Sequence, residues 1–417
     1  MPKMVMFFIC ILSCAIQASD LDQNLRQLFF THGVRPLQSY KSPTPHLVKL
    51  GKKLFADPIL SGNKNISCQT CHHPDHGTSD KLPLSIGEGG EGTASGRSMG
   101  QGHIIPRNSP ALWNLAKAPN MFWDARVERD PVTGALFTPE AKLNGLNPEL
   151  KQYTAQLDSA LAAQAMFPPS SAEEMSGAPG SNEIANAKTN VAKWQGLSAR
   201  VVADSNYRDL LALAYPDVAL SQINFAHLAR AIAEFEKENF QATRTPLDLF
   251  LAGDASAMND KQKLGALFFV TKGKCIECHH GPLLSDFKTH AIGMPQIGPG
   301  KDQAHDDLGR MHVTGNFADR YAFRTPPLRN VIISGPWGHA GSFRDMRDLI
   351  LHYFHPQRTL HHYTPDNQGL PYKLVEQLEN KQARFQSMDP RVMVGLDMSQ
   401  EEFEGLHDFL VFALSDY

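Results

Sequence analysis

What this sequence lacks narrows it before any motif is considered. It has no surplus of either charge: 40 Lys and Arg against 43 Asp and Glu give a formal net charge of −3. That excludes the basic excess on which nucleic-acid binding depends, and no long single-sign run suggests a charged tail. Beyond residue 16 it has no apolar run long enough to cross a bilayer. Its six cysteines leave no pair free for a disulfide, because Cys10 and Cys14 fall in an apolar leader and the other four belong to two repeated motifs. At 417 residues, 42% hydrophobic and 20% charged, the chain exceeds what one hydrophobic core usually organises, and two domains are expected.

The leader, MPKMVMFFICILSCAIQAS, carries one lysine and then an apolar stretch from Val5 to Ile16, the length of a signal h-region. Residues 1–18 read as a signal peptide cleaved after Ala18, which implies an exported, periplasmic protein. A looser lipoprotein-type pattern, ILSC, offers Cys14 as an alternative anchor.

The remaining cysteines lie in SCQTCHH at 67–73 and KCIECHH at 274–280. Two thiols, two spacers and a histidine form the attachment signature of c-type haem: the thiols add to the vinyl groups and the adjacent histidine offers a nitrogen to iron. Cys68, Cys71 and His72 would hold one haem, and Cys275, Cys278 and His279 a second. A zinc ribbon is the alternative for two CxxC pairs, but its pairs sit roughly 15–20 residues apart, and these are separated by most of the protein.

Upstream of each motif stands a similar amphipathic stretch, HLVKLGKKLF and DKQKLGALFF, which marks an internal duplication. The fold expected is mainly α, two tandem cytochrome c-like haem domains: residues 19–243, with an insertion, and 244–417. The spacing predicts helices over 150–167 and over 223–240, the latter burying Ile223, Ala226, Leu228, Ile232 and Phe235. Residues 87–102, GEGGEGTASGRSMGQG, read as a flexible loop. Gly87, Gly89 and Gly92 match GxGxxG in form, but no strand precedes them and no periodic helix follows, so a nucleotide site is rejected.

Five further stretches, RNSPALWN, FWDARV, DLGRMHVTG, FRTPPLRN and GPWGHAGSF, occur around the two haem motifs. From about residue 46 to the end the chain resembles the bacterial diheme cytochrome c peroxidases, including their MauG-type branch. The resemblance implies an oxidoreductase in which hydrogen peroxide meets the first haem and electrons arrive through the second. Trp123 would be the relay between them, though it also reads as a core aromatic. Gln164, Pro168 and Glu174 would stand over the peroxide-binding iron, with Glu174 as acid–base group. An insertion between the tryptophan and glutamine motifs sets this chain apart from compact members. Ser171 and Glu174 also fit a capping box that merely closes a helix start.

The resemblance further offers His103 as a distal ligand of the first iron, with an ordinary loop histidine as the other reading. Tyr353 is offered as the second iron's sixth ligand, where His352, His355 and Met294 compete. Met346, Leu349, Ile350 and Tyr353 share one helical face. A calcium ion between the haems would take Asn108, Ser334 and Pro336, oxygen donors suited to a hard cation. Partners implied are peroxide and a small electron-donor protein, a cytochrome c or cupredoxin. A MauG-type oxidase would instead withdraw electrons from Trp or Tyr side chains of a protein substrate, and a plain diheme carrier would do neither. A homodimer is admitted as one assembly.

Overall fold

In a computed structural model the chain is described over residues 20–301, 306–376, 380–392 and 396–416. The leader, its cleavage site and Cys14 lie outside these residues. The helices that frame the two CxxCH motifs are α1 (20–31), α2 (Pro45–Ala56), α3 (Phe225–Asn239), α4 (Asp260–Val270), α5 (Met346–Phe354) and α6 (Gln400–Asp408). No described helix is long and apolar enough to cross a membrane.

The duplicated KLG stretch builds the same device twice. On α2, Leu47, Leu50, Gly51, Leu54 and Phe55 are buried, a spacing of three and four residues that makes one face, and this face packs on α3. A Cβ on Gly51 would lie 1.9 Å from the Ala231 carbonyl oxygen, so the two backbones touch there. On α4, a Cβ on Gly265 would lie 1.9 Å from the carbonyl oxygen of Gly405 on α6. In each half, glycine is what lets the helix before the CxxCH motif cross its partner at backbone contact.

Two large apolar cores result, beside a small cluster of Leu84, Ile297, Ala340 and Leu374. One draws on residues from Leu47 to Phe240, together with Phe287; the other on residues from Leu247 to Leu414, together with Leu25, Phe29 and Val34. The expected boundary of the first unit at residue 19 therefore does not describe its packing, because α1 and the turn after it lie in the second core. The ring of Phe29 stands 6.2 Å from that of Phe409, close to the other end of the chain.

Other expectations also need correction. The helix predicted over 150–167 is two short pieces, Lys151–Thr154 and Ala160–Gln164, because Ser159 turns its hydroxyl onto the Ala162 N–H to cap the second. The helix predicted over 223–240 starts at Phe225, with Asn224 as its cap. Its five chosen residues are buried, but so are Glu234, Glu236 and Lys237, since α3 is enclosed nearly all round. Residues 87–102 are not a free loop: buried Arg97 donates to the carbonyls of Ile86, Gly92 and Gly87 and gathers the glycine turns around its guanidinium.

Little sheet is present. Strands β1 (Asn120–Met121), β2 (Val127–Arg129) and β3 (Leu136–Phe137) pair antiparallel in that order, and β4 (Thr289–His290) pairs with β5 (Phe323–Arg324). The turn from β1 to β2 carries Trp123, and the positive φ of Phe122 and Ala125 gives that turn its shape.

Candidate active site: two cavities and a shared wall

The first CxxCH motif folds as a single turn, Cys68–Cys71, closed at its start by Ser67 and Thr70, whose hydroxyl accepts from the Ser67 N–H at 3.0 Å. His72 follows, and its Nδ1–H donates to the Thr78 carbonyl at 3.2 Å. His279 does the same to the Leu284 carbonyl at 2.9 Å. A carbonyl can only accept, so Nδ1 carries the proton in both and Nε2 is the nitrogen with a lone pair for metal, which in His72 lies 3.3 Å from the Ser109 hydroxyl. Burial lowers both imidazoles to about 4, which keeps them neutral. Burial also pushes the Cys68 and Cys275 thiols up to about 12, with Cys71 shifted the same way.

Each histidine and its two cysteines line one cavity, about 390 Å³ for the first motif and about 220 Å³ for the second. The donor set fits c-type haem: two thiols on each wall and one neutral imidazole with its outer nitrogen already engaged. It fits zinc poorly. Cys278 does approach Asp286 and His290, but His290 is held between Asp286 at 2.9 Å and Asp389 at 2.8 Å. Burial opposes its charge, yet hydrogen bonds to Asp286, Cys278 and Asp389 raise it to about 10, which favours the imidazolium over a metal-binding ring.

Gln164, Pro168 and Glu174 all line the first cavity. Pro168 opens the turn Pro168–Ser170, and Glu174 lies in the five-residue π-turn Ala172–Ser176 that Ser171 caps by accepting from the Glu174 N–H at 3.3 Å. The reciprocal half of a capping box is missing, because the Ser171 N–H donates to the carbonyls of Phe167 and Pro168. The Glu174 carboxyl is thus not spent on the helix start. Burial raises its pKa, against the opposing charges of Arg126 and Lys301, which line the same cavity.

Trp123 lines both cavities, its indole N–H donating to the Asn108 carbonyl at 2.8 Å. Around it the motifs converge. Arg107 of RNSPALWN binds Asp124 of FWDARV at 2.5 Å and Asp307 of DLGRMHVTG through two bonds at 2.6 and 2.8 Å. Arg310 donates to the carbonyls of Asp124 and Ala125, and Arg324 of FRTPPLRN donates through its backbone N–H to Trp123 and through Nε to Phe122. The turn that carries Trp123 is therefore clamped by arginines from the other half of the chain.

A model of the di-haem cytochrome c peroxidase family matches residues 45–256, just over half of the chain. The protein belongs to that family. It is 28% identical to the cytochrome c551 peroxidase of Pseudomonas aeruginosa over 302 residues, covering 72% of this chain and 70% of that one. It is also 28% identical to the methylamine utilization protein MauG of Methylorubrum extorquens over 317 residues, 74% of this chain and 69% of that one. Among solved structures, a MauG-like protein associated with microbial copper homeostasis superposes with a TM-score of 0.62 at 23% identity, covering 92% of this chain and 93% of that one. The diheme peroxidase BthA of Burkholderia thailandensis superposes at 0.61 with 18% identity, covering 92% and 89%, and both likenesses concern the fold.

Membership implies two haem c groups, and the two cavities carry the residues to hold them. Tyr353, on α5, lines the second cavity with His279, and its hydroxyl makes no hydrogen bond among the described residues. Met294 lines the same cavity, whereas His352 has both ring nitrogens engaged, with Thr359 at 2.7 Å and the Ile292 carbonyl at 3.0 Å. His355 is not on the cavity wall. His103 is not brought to the first cavity: it is exposed, with its carbonyl accepting from the Gly87 N–H. Asn108, Ser334 and Pro336 share the wall of the second cavity. The Asn108 amide nitrogen donates to the Leu82 and Pro83 carbonyls, so its side-chain oxygen is the end turned away from them.

Sequence reasoning passed over Arg107, Asp124, Arg126, Asp307, Arg310 and Arg324, although each lies within a stretch quoted for the resemblance. It also passed over Glu236 on α3, which lines the first cavity with one carboxyl oxygen unpartnered.

Proposed function

We propose that this family member is a cytochrome c peroxidase-like oxidoreductase that reduces hydrogen peroxide in the first cavity, with electrons delivered from the second through Trp123. The observation that carries the reading is Glu174, a carboxyl on the wall of the His72 cavity that makes no side-chain hydrogen bond among the described residues and that burial favours in the protonated form. His72 and His279 would each hold a haem iron, which would supply the redox chemistry. Reduction of hydrogen peroxide to two waters takes up two protons and two electrons. Glu174 moves a proton from one peroxide oxygen to the departing one, which is general acid–base work, and the two protons consumed come from solvent. Gln164 and Pro168 shape the wall beside it. The place of Trp123 on both cavity walls supports its role as relay, and the clamp on its turn holds the indole in one orientation.

One observation favours a MauG-type oxidase acting on Trp or Tyr side chains of a partner protein: the unpartnered phenol of Tyr353 in the second cavity, available as an oxygen ligand. The electron source for the peroxidase reading is a small cytochrome c or cupredoxin. Thioether attachment and the leader support export to the periplasm. Asn108, Ser334 and Pro336 are the residues for one calcium ion.

The test is anaerobic addition of peroxide to holoprotein in two starting states. A peroxidase of the methionine-ligated kind turns over only after one-electron reduction, whereas a MauG-type protein reacts when fully ferric. Absence of reaction from both states would leave a diheme carrier and overturn the proposal.

A further inference from the structure

Among the described residues, the one cation on the wall shared by both cavities has no counter-charge. Arg107 pairs with Asp124 and Asp307, Arg126 with Asp124, Arg310 with Glu128, and Arg329 with Asp248. Arg324 differs. It is 3% exposed, lines both cavities, and forms no ion pair among the described residues. Its Nε donates to the Phe122 carbonyl at 3.1 Å, while Nη1 is buried with no hydrogen-bond partner. Burial alone shifts its pKa, downward to about 10, so it keeps its proton at neutral pH. An isolated buried cation is strongly unfavourable unless an anion or good acceptors meet it.

The anion has to come from what fills the cavities. Each haem c that the two CxxCH motifs attach carries two propionate carboxylates, and a guanidinium fork is the side chain best matched to a planar carboxylate. The Phe122 bond fixes the plane of the fork and leaves Nη1 and Nη2 for the ligand. We propose that Arg324 is the counter-cation of a haem propionate at the wall shared by the two cavities, and that it ties that carboxylate to the Trp123 turn. The inference rests on the two-haem reading and is independent of whether the protein acts as peroxidase or as oxidase. The backbone N–H of Arg324 holds the Trp123 carbonyl at 2.7 Å, so one residue joins the cofactor's charge to the relay.

The test uses holoprotein with two haems verified by pyridine haemochromogen assay, and reads redox titration and resonance Raman spectra of wild type, R324Q and R324K. Loss of the cation leaves a propionate charge that favours ferric iron. In R324Q the midpoint potential of at least one haem should therefore fall, with the reduced-to-oxidised ratio at fixed poise dropping about tenfold, or ~59 mV for one electron. The fall should deepen as pH rises through the titration of the freed propionate. In R324K the charge remains and the potential should stay near wild type, while the propionate bending bands move because the fork is lost. Unchanged potentials and unchanged bands in R324Q would overturn the proposal, as would an equal fall in R324K. If R324Q does not mature with two haems, R324K decides: unmoved propionate bands there overturn it.

Discussion

At the scale of the residue, Glu174 was legible in two ways, as a carboxyl over the iron and as the fourth member of a capping box, and the letters could not separate them. Geometry does, because the Ser171 N–H is bonded to Phe167 and Pro168 and leaves the carboxyl facing the cavity. Glu174→Gln should keep both haems yet react with peroxide ~10²–10⁴ times more slowly, as loss of a positioned acid–base group does. Stopped-flow spectra of the haem bands measure this, and full reactivity would remove Glu174 from the acid–base role. Glu236 was not legible, because a glutamate inside a long amphipathic stretch reads as a solvated position, and only the enclosure of α3 buries it. Burial raises its pKa from 4.5 to about 8. The folded protein holds this proton more tightly than the unfolded chain, so the contribution to stability is full below about pH 4.5 and is lost as pH rises toward 8. Glu236→Gln should remove that loss and make the protein more stable than wild type at pH 8, by a few kcal/mol at most, on the order set by the shift. Urea midpoints at pH 5 and pH 8 test this; a wild-type slope retained in the variant would refute it.

At the scale of the element, the duplication was readable because KLG recurs before each CxxCH motif, but the partners of the two glycines were not. Nothing local says that Gly51 meets Ala231 or that Gly265 meets Gly405, since both contacts join stretches far apart in the chain. Gly51→Ala should part α2 from α3 and destabilise the first unit by ~1–3 kcal/mol or more, the usual range for overpacking a close contact. Gly265→Ala should do the same between α4 and α6. Denaturation followed at each haem's own band separates the two, and a Gly51→Ala protein with unchanged midpoints would show that the helices can slide apart freely. The helix expected over 150–167 failed for a related reason: apolar periodicity continues through residues 156–159, while Ser159 competes for the backbone and restarts the helix. Glycine composition likewise suggested freedom at 87–102, where one buried arginine supplies the order.

At the scale of the whole molecule, the stretches that identified the family turn out to be neighbours in space. RNSPALWN, FWDARV, DLGRMHVTG and FRTPPLRN meet around Trp123, which explains why residues spread over more than half of the chain were readable as a set although their ion pairs were not. The choice of branch belongs to this scale, because it concerns how the two cavities share electrons. Phenolate ligation lowers a haem potential and thioether ligation raises it. Tyr353→Met should therefore raise the potential of the second haem and make peroxide reactivity depend on one-electron priming. Spectroelectrochemical titration checks it, and an unchanged second-haem spectrum would make Tyr353 a packing residue, leaving Met294 as the candidate ligand. The position of α1 bears on how such a molecule comes into being. With Leu25 and Phe29 in the second core and Phe29 beside Phe409, the first unit is nested inside the second. As the chain emerges N-terminus first, the residues from Leu47 to Phe240 can close their core while α1 still waits for a partner made near the end of synthesis. The core that holds α1 is thus the last to be finished, and the C-terminal helices act as the clasp that fastens α1 in place.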